Sequence, residues 1–103
     1  PAPPEGEITV VSRPEPQGYS LEQNYPNPFN PATTISYGLP AGGVVSIEVF
    51  NVAGEQIGGI DVGYREAGYH AVSWDARHLP SGVYFYRVRA GAFSQMKKMV
   101  LLK

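Results

Sequence analysis

Asp75, His78 and Ser81 are the residue types of a hydrolytic triad. A triad needs an acid that orients the base and a base hydrogen-bonded to the nucleophile. Three residues within one short loop can hardly reach that geometry. They read better as turn formers, with Asp75 capping a turn and Leu79-Pro80-Ser81-Gly82 making a tight one. His70 and His78 are the only imidazoles, cysteine is absent, and no His-x-His or Cys-x-x-Cys spacing occurs. Glu66 and Asp75 could serve calcium only inside a larger oxygen cage. Both histidines therefore read as surface residues.

Binding chemistry has three weak candidates. Gly58-Gly59 lies in a β-rich stretch and opens no helix, so it is no phosphate loop. Arg87, Arg89 and Lys97 beside Phe85 and Tyr86 hint at a nucleic-acid face, but the chain is net acidic at −1. Tyr19, Tyr25, Tyr64, Tyr69 and Trp74 could stack on sugars. Trp74 follows Val72 in alternation and reads as core, and the tyrosines are scattered.

The elements that would position these residues are strands. Ile35, Tyr37 and Leu39 alternate with Thr34, Ser36 and Gly38, and Val45, Ile47 and Val49 alternate with Ser46 and Glu48. Further strands are expected over 55–62, 69–74, 82–90 and 93–102. Glycine-bearing turns at Gly42-Gly43, Gly54, Gly68, Gly82 and Gly91 separate them, the spacing of an antiparallel sandwich. No stretch carries a helical stripe. The 103 residues suit one domain, and no apolar run approaches the roughly 18 residues of a membrane span.

Residues 1–18 hold Pro1, Pro3, Pro4, Pro14 and Pro16 and read as a linker or the end of a preceding domain. A short edge strand is possible within it over Glu7–Ser12. Pro1 in place of an initiator Met suggests a piece of a longer protein. The β-sandwich domain is expected over 19–103. Near its start, Tyr25-Pro26-Asn27-Pro28-Phe29-Asn30-Pro31 must be irregular, because proline cannot donate to a ladder. Phe29 is expected to anchor that loop inward.

The end of the chain is unusual. All nine acids lie in residues 1–75, whereas Arg77, Arg87, Arg89, Lys97, Lys98 and Lys103 follow with no acid among them. The last two strands should form a hairpin about Ala90-Gly91-Ala92. With Gly91 central, Tyr84 would lie opposite Lys98 and Tyr86 opposite Met96. Tyr84, Tyr86 and Val88 would share one face, and Arg87 and Arg89 the other. Met99-Val100-Leu101-Leu102 is apolar throughout, a strand buried on both faces or awaiting a partner. Lys97 and Lys98 are adjacent, so either one faces into the sandwich edge or a bulge turns both outward.

From Leu21 onward the chain resembles a known family. The residues that carry the resemblance are Leu21 to Pro31, Val49-Phe50-Asn51-Val52-Ala53-Gly54-Glu55, Trp74-Asp75, Ser81 to Val88, and Lys97 to Lys103. Together they are similar to the C-terminal sorting domain of the type IX secretion system, related to the immunoglobulin-like domain of flagellar hook-capping proteins. The resemblance implies an all-β, immunoglobulin-like antiparallel β-sandwich of about seven strands. It implies no activity and no cofactor, a cargo attached upstream, and export across a bacterial outer membrane. The cargo would pass through the periplasm to the surface or the medium, with cleavage before Leu21. The implied partner is the secretion apparatus at the outer membrane; no nucleic acid and no small-molecule substrate is implied, and the domain would be a monomer. The family's short motifs fall on Gly82 and Tyr84, and on Lys98, Leu101 and Lys103, and Lys97 beside Lys98 is a further candidate for recognition. The alternative reading is an accessory carbohydrate-binding or structural module of a secreted hydrolase.

Overall fold

The computed structural model describes residues 16–103. The short strand considered over Glu7–Ser12, and most of the linker, lie outside the described residues. Seven strands follow: β1 (Ser20–Leu21), β2 (Ala32–Leu39), β3 (Gly43–Phe50), β4 (Gln56–Arg65), β5 (Gly68–Asp75), β6 (Gly82–Ala90) and β7 (Phe93–Leu101). They form two antiparallel sheets, ordered β1-β2-β5 and β4-β3-β6-β7. The expected immunoglobulin-like sandwich is the observed architecture.

Alternation explains which faces meet. Ile35, Tyr37 and Leu39 of β2, Val45, Ile47 and Val49 of β3, and Tyr84, Tyr86 and Val88 of β6 are buried together. Trp74 joins them at 8% exposure, as does Phe29 at 2%. Both were expected inside, and their rings lie 6.3 Å apart, tilted by 57°. This pair closes one end of the core.

Local side chains make the turns. Between β3 and β4, the Asn51 Oδ1 accepts the backbone N–H groups of Ala53 and Glu55, at 2.9 and 3.0 Å. Gly54 follows with φ of 83°, a left-handed conformation that glycine adopts without strain. At the β5–β6 crossover, the Tyr84 hydroxyl donates to the Pro80 carbonyl at 2.7 Å. That is a tyrosine corner, which pins the start of β6 to the loop before it.

One hydroxyl joins the four-stranded sheet to the segment leaving β1. Tyr86 Oη donates to the Glu22 carbonyl at 2.7 Å and accepts the Asn24 N–H at 2.8 Å. Asn24, itself buried, donates through Nδ2 to Thr33 Oγ1 and to the Pro26 carbonyl, and Thr33 also donates to Pro26. Tyr37 is the contrast. Its hydroxyl is buried with no hydrogen-bond partner among the described residues.

Tyr86→Phe is expected to destabilise the domain by about 1–3 kcal/mol, because the buried Asn24 N–H and the partly buried Glu22 carbonyl lose their partner. Tyr37→Phe should be neutral or stabilising, because its hydroxyl is desolvated without a bond. Urea unfolding of the two variants checks both. Burial also pushes the Tyr86 phenol up to about 12 from its ordinary 10, and Tyr37 moves in the same direction for the same reason. Above pH 10 the unfolded chain releases a proton that the native state keeps. Stability should therefore fall as pH rises from 10 towards 12, and Tyr86→Phe should flatten part of that slope.

Candidate functional site

β7 lies at the edge of the four-stranded sheet, and its register decides what it presents. The hairpin turn is Gly91-Ala92, closed by the pair Ala90↔Phe93. Gly91 has φ of 57° and Ala92 does not have positive φ, the pattern of a two-residue type II′ turn. The expected three-residue turn centred on Gly91 is thus corrected. Tyr84 lies opposite Met99 and Tyr86 opposite Lys97, one residue from the expected pairs. A shift of one flips every side chain to the other face. Met99 and Leu101 consequently point inward and are fully buried, while Leu102 is exposed.

The same register places the two lysines. Pairing along β6–β7 is unbroken, so no bulge turns both outward. Lys97 shares the inward face with Tyr86 and is half-buried at the sandwich edge. Lys98 lies opposite Phe85 on the outer face and is exposed. Neither forms an ion pair among the described residues.

The outer edge of β7 is divided. Odd-numbered residues bond to β6, so Ser94, Met96, Lys98 and Val100 aim their backbone groups away from the sheet. The asparagine–proline loop covers the far half. Phe29 N–H donates to the Val100 carbonyl, Leu102 N–H donates to the Phe29 carbonyl, and Val100 N–H donates to Asn27 Oδ1, at 2.9, 3.0 and 3.0 Å. Phe29 thereby forms a parallel bridge with Leu101. Gln23 Nε2 reaches the Lys98 carbonyl at 2.7 Å. Ser94 and Met96 receive no such cover among the described residues. The apolar end of β7 is therefore not awaiting a partner; the open stretch lies nearer the hairpin.

Beside that open stretch runs a shallow groove of about 380 Å³ on the outer face, lined by Phe50, Val52, Phe85, Arg87 and Met96. The Arg87 guanidinium sits 5.0 Å above the Phe50 ring, and its Nε donates to Glu48 at 2.7 Å. Met96 is 45% exposed. Arg89, opposite Ser94, extends the basic rim with Lys98. The sequence singled out the basic residues but not Met96 or Phe50. A register one residue different would have turned Met96 inward.

The six candidate recognition residues divide into two groups. Tyr84 is held in the tyrosine corner, Gly82 opens β6 with nearly extended backbone, and Leu101 is core. Lys97, Lys98 and Lys103 are the ones solvent reaches. Lys103 is also tethered: its N–H donates to Ser81 Oγ at 2.9 Å and its Nζ donates to the Arg77 carbonyl.

The chemical candidates are engaged elsewhere. Asp75 Oδ1 accepts the Arg77 N–H at 2.8 Å, the expected turn cap, and Oδ2 accepts the Arg77 Nη2 at 2.7 Å. That side-chain bond holds the carboxyl below its ordinary range, with the backbone bond adding to it. Ser81 Oγ serves Lys103 rather than His78. His70 stacks on Tyr37 at 5.6 Å and meets the Glu66 carbonyl at 2.8 Å. Among the described residues no three His, Cys, Asp or Glu side chains gather as a metal site would need. Tyr19 stacks on Phe93 at 4.9 Å, Tyr64 lies on β4 and Tyr69 on β5, so these tyrosines belong to different elements.

A family model described as "Secretion system C-terminal sorting domain" matches residues 23–102, from the edge-covering loop through β7. No curated protein matches the chain.

If Asn27 covers the edge as described, Asn27→Ala should cost about 0.5–1.5 kcal/mol. Amide exchange should quicken at Val100 and leave Met99, which bonds inside the hairpin, protected in proportion to global stability alone.

Proposed function

The chain belongs to the family of secretion system C-terminal sorting domains, and from that premise we propose that it directs export of a cargo attached upstream across the outer membrane by type IX secretion. The domain itself performs no reaction. The cargo passes through the periplasm and ends at the cell surface or in the medium, and any cleavage falls in the segment before Leu21. The observation that carries this reading is the family match over 23–102, which takes in strands β2 to β7.

The geometry supports a division of labour within the motifs. Tyr84, Met99 and Leu101 build the sandwich, and Lys98 and Lys103 offer cations at its surface. Deleting the last five residues is therefore a poor test of recognition. It would remove two buried side chains, each worth about 1.5–3 kcal/mol, and uncover the edge of β7.

Surface substitutions separate the roles. The full chain, fused behind a periplasmic reporter in a bacterium that has this apparatus, should carry the reporter outside the cell. Lys98→Ala with Lys103→Ala should keep stability within about 1 kcal/mol and lower export. Leu101→Ala should cost about 2–5 kcal/mol and lower export through unfolding. A wild-type tail that leaves the reporter in the periplasm would overturn the proposal.

A further inference from the structure

The open half of β7 differs from the opposite edge of its own sheet. β4 pairs with β3 through two register shifts, between Val45 and Ser46 and between Val49 and Phe50. Such bulges bend an edge and spoil it as a template. β7 pairs with β6 without interruption, and its far half already accepts an extended segment, Asn27 to Phe29. The near half keeps the same regular geometry, with Ser94 and Met96 directed outward.

Lys97 makes that edge selective. A charged side chain turned towards the inner face of an edge strand obstructs a newly added strand, which would bury the charge. A second copy of β7 would bring a second lysine and add repulsion. A strand with a carboxylate opposite Lys97 would relieve the charge. Lys98 and Arg89 repeat the demand on the outer face, where the nearby acid, Glu48, is paired with Arg87. The groove beside Met96 leaves room for an apolar side chain.

We propose that the Phe93–Lys98 edge of β7 docks an extended acidic segment of the secretion machinery by strand addition. Lys97 selects for a carboxylate on the segment's inner face, and the Phe50–Phe85–Met96 groove takes an apolar residue from its outer face. This inference rests on the sorting role above for the identity of the partner. Backbone pairing supplies adhesion and the charges supply choice.

Two measurements on the full chain test it separately from that role. In the first, amide spectra are recorded with a blocked peptide alternating valine and glutamate, and with its valine–lysine counterpart. The glutamate peptide should shift the amides of Ser94, Met96 and Lys98, and the lysine peptide should not. Lys97→Glu should weaken the glutamate peptide by about tenfold or more and reverse the preference. Met96→Pro removes an outward N–H without touching the β6 ladder and should abolish binding of either peptide. Equal response to the two peptides, or none, overturns the inference. So does protection of the Ser94 and Met96 amides in the chain alone, which would mean that a second copy or the chain's own residues 5–12 fill the edge. In the second, both variants are placed behind the exported reporter. Export should fall several-fold for each while the fold persists. If the unmodified tail exports and both variants export equally well, the docking edge is wrong and the sorting role stands. If the unmodified tail fails to export, the sorting role is wrong, and the peptide measurement still decides whether the edge binds acidic strands.

Discussion

The Tyr86 hydroxyl is the point on which the arrangement of this sandwich depends. Two sheets facing each other are held by apolar contact, which is strong but indifferent to small slides. The bonds from Tyr86 to Glu22 and Asn24 are directional, the first partly and the second fully buried. They fix the chain where it leaves β1 and turns towards the opposite sheet. From there Asn24 sets Thr33 and Pro26, and the loop delivers Asn27 and Phe29 to the edge of β7. An error at Tyr86 would propagate to the cover of the last strand. Buried polar networks of this kind specify one arrangement when every member is satisfied.

The family's signatures take on physical meaning in this light. Leu21 to Pro31 is the segment that latches onto Tyr86 and covers β7. Asn51 to Glu55 is a turn organised by one asparagine side chain. Ser81 to Val88 carries Tyr84, whose hydroxyl makes the tyrosine corner with Pro80. Trp74 closes the core against Phe29, and Asp75 caps a turn. These motifs are devices for folding a small chain that has no disulfide. Recognition, if it uses side chains, must use what the devices leave outside.

Much of this was legible before the structure. Alternation placed the inward residues of β2, β3 and β6, and glycine spacing separated the strands. Proline marked the irregular loop, and an aromatic within it, Phe29, marked its anchor. Two matters were not legible. The β6–β7 register turned on whether the turn held two residues or three, and Ala90-Gly91-Ala92 is compatible with either. Facing follows register, so the positions of Lys97, Lys98 and Met96 were undetermined too. The cover over β7 was hidden for a different reason. It joins residues about 70 positions apart through Asn27 and Gln23, and local pattern carries no trace of such a contact.

A tail that docks by strand addition, as proposed above, faces two opposed demands. It must offer something extended and regular to its receptor, yet an open regular edge invites any strand. The division of β7 meets both. The stretch from Met99 to Leu102 is apolar and would be the most adhesive, and the molecule covers it with the Phe29 backbone and the Asn27 side chain. The stretch left open is polar at Ser94 and Gln95 and guarded at Lys97, so neutral and basic strands are disfavoured. Had the hairpin turn contained one more residue, Met99 and Leu101 would have faced outward, and Lys98 would have replaced Lys97 inside. The two-residue length of the Gly91-Ala92 turn therefore decides which face of the strand is core and which charge guards its edge.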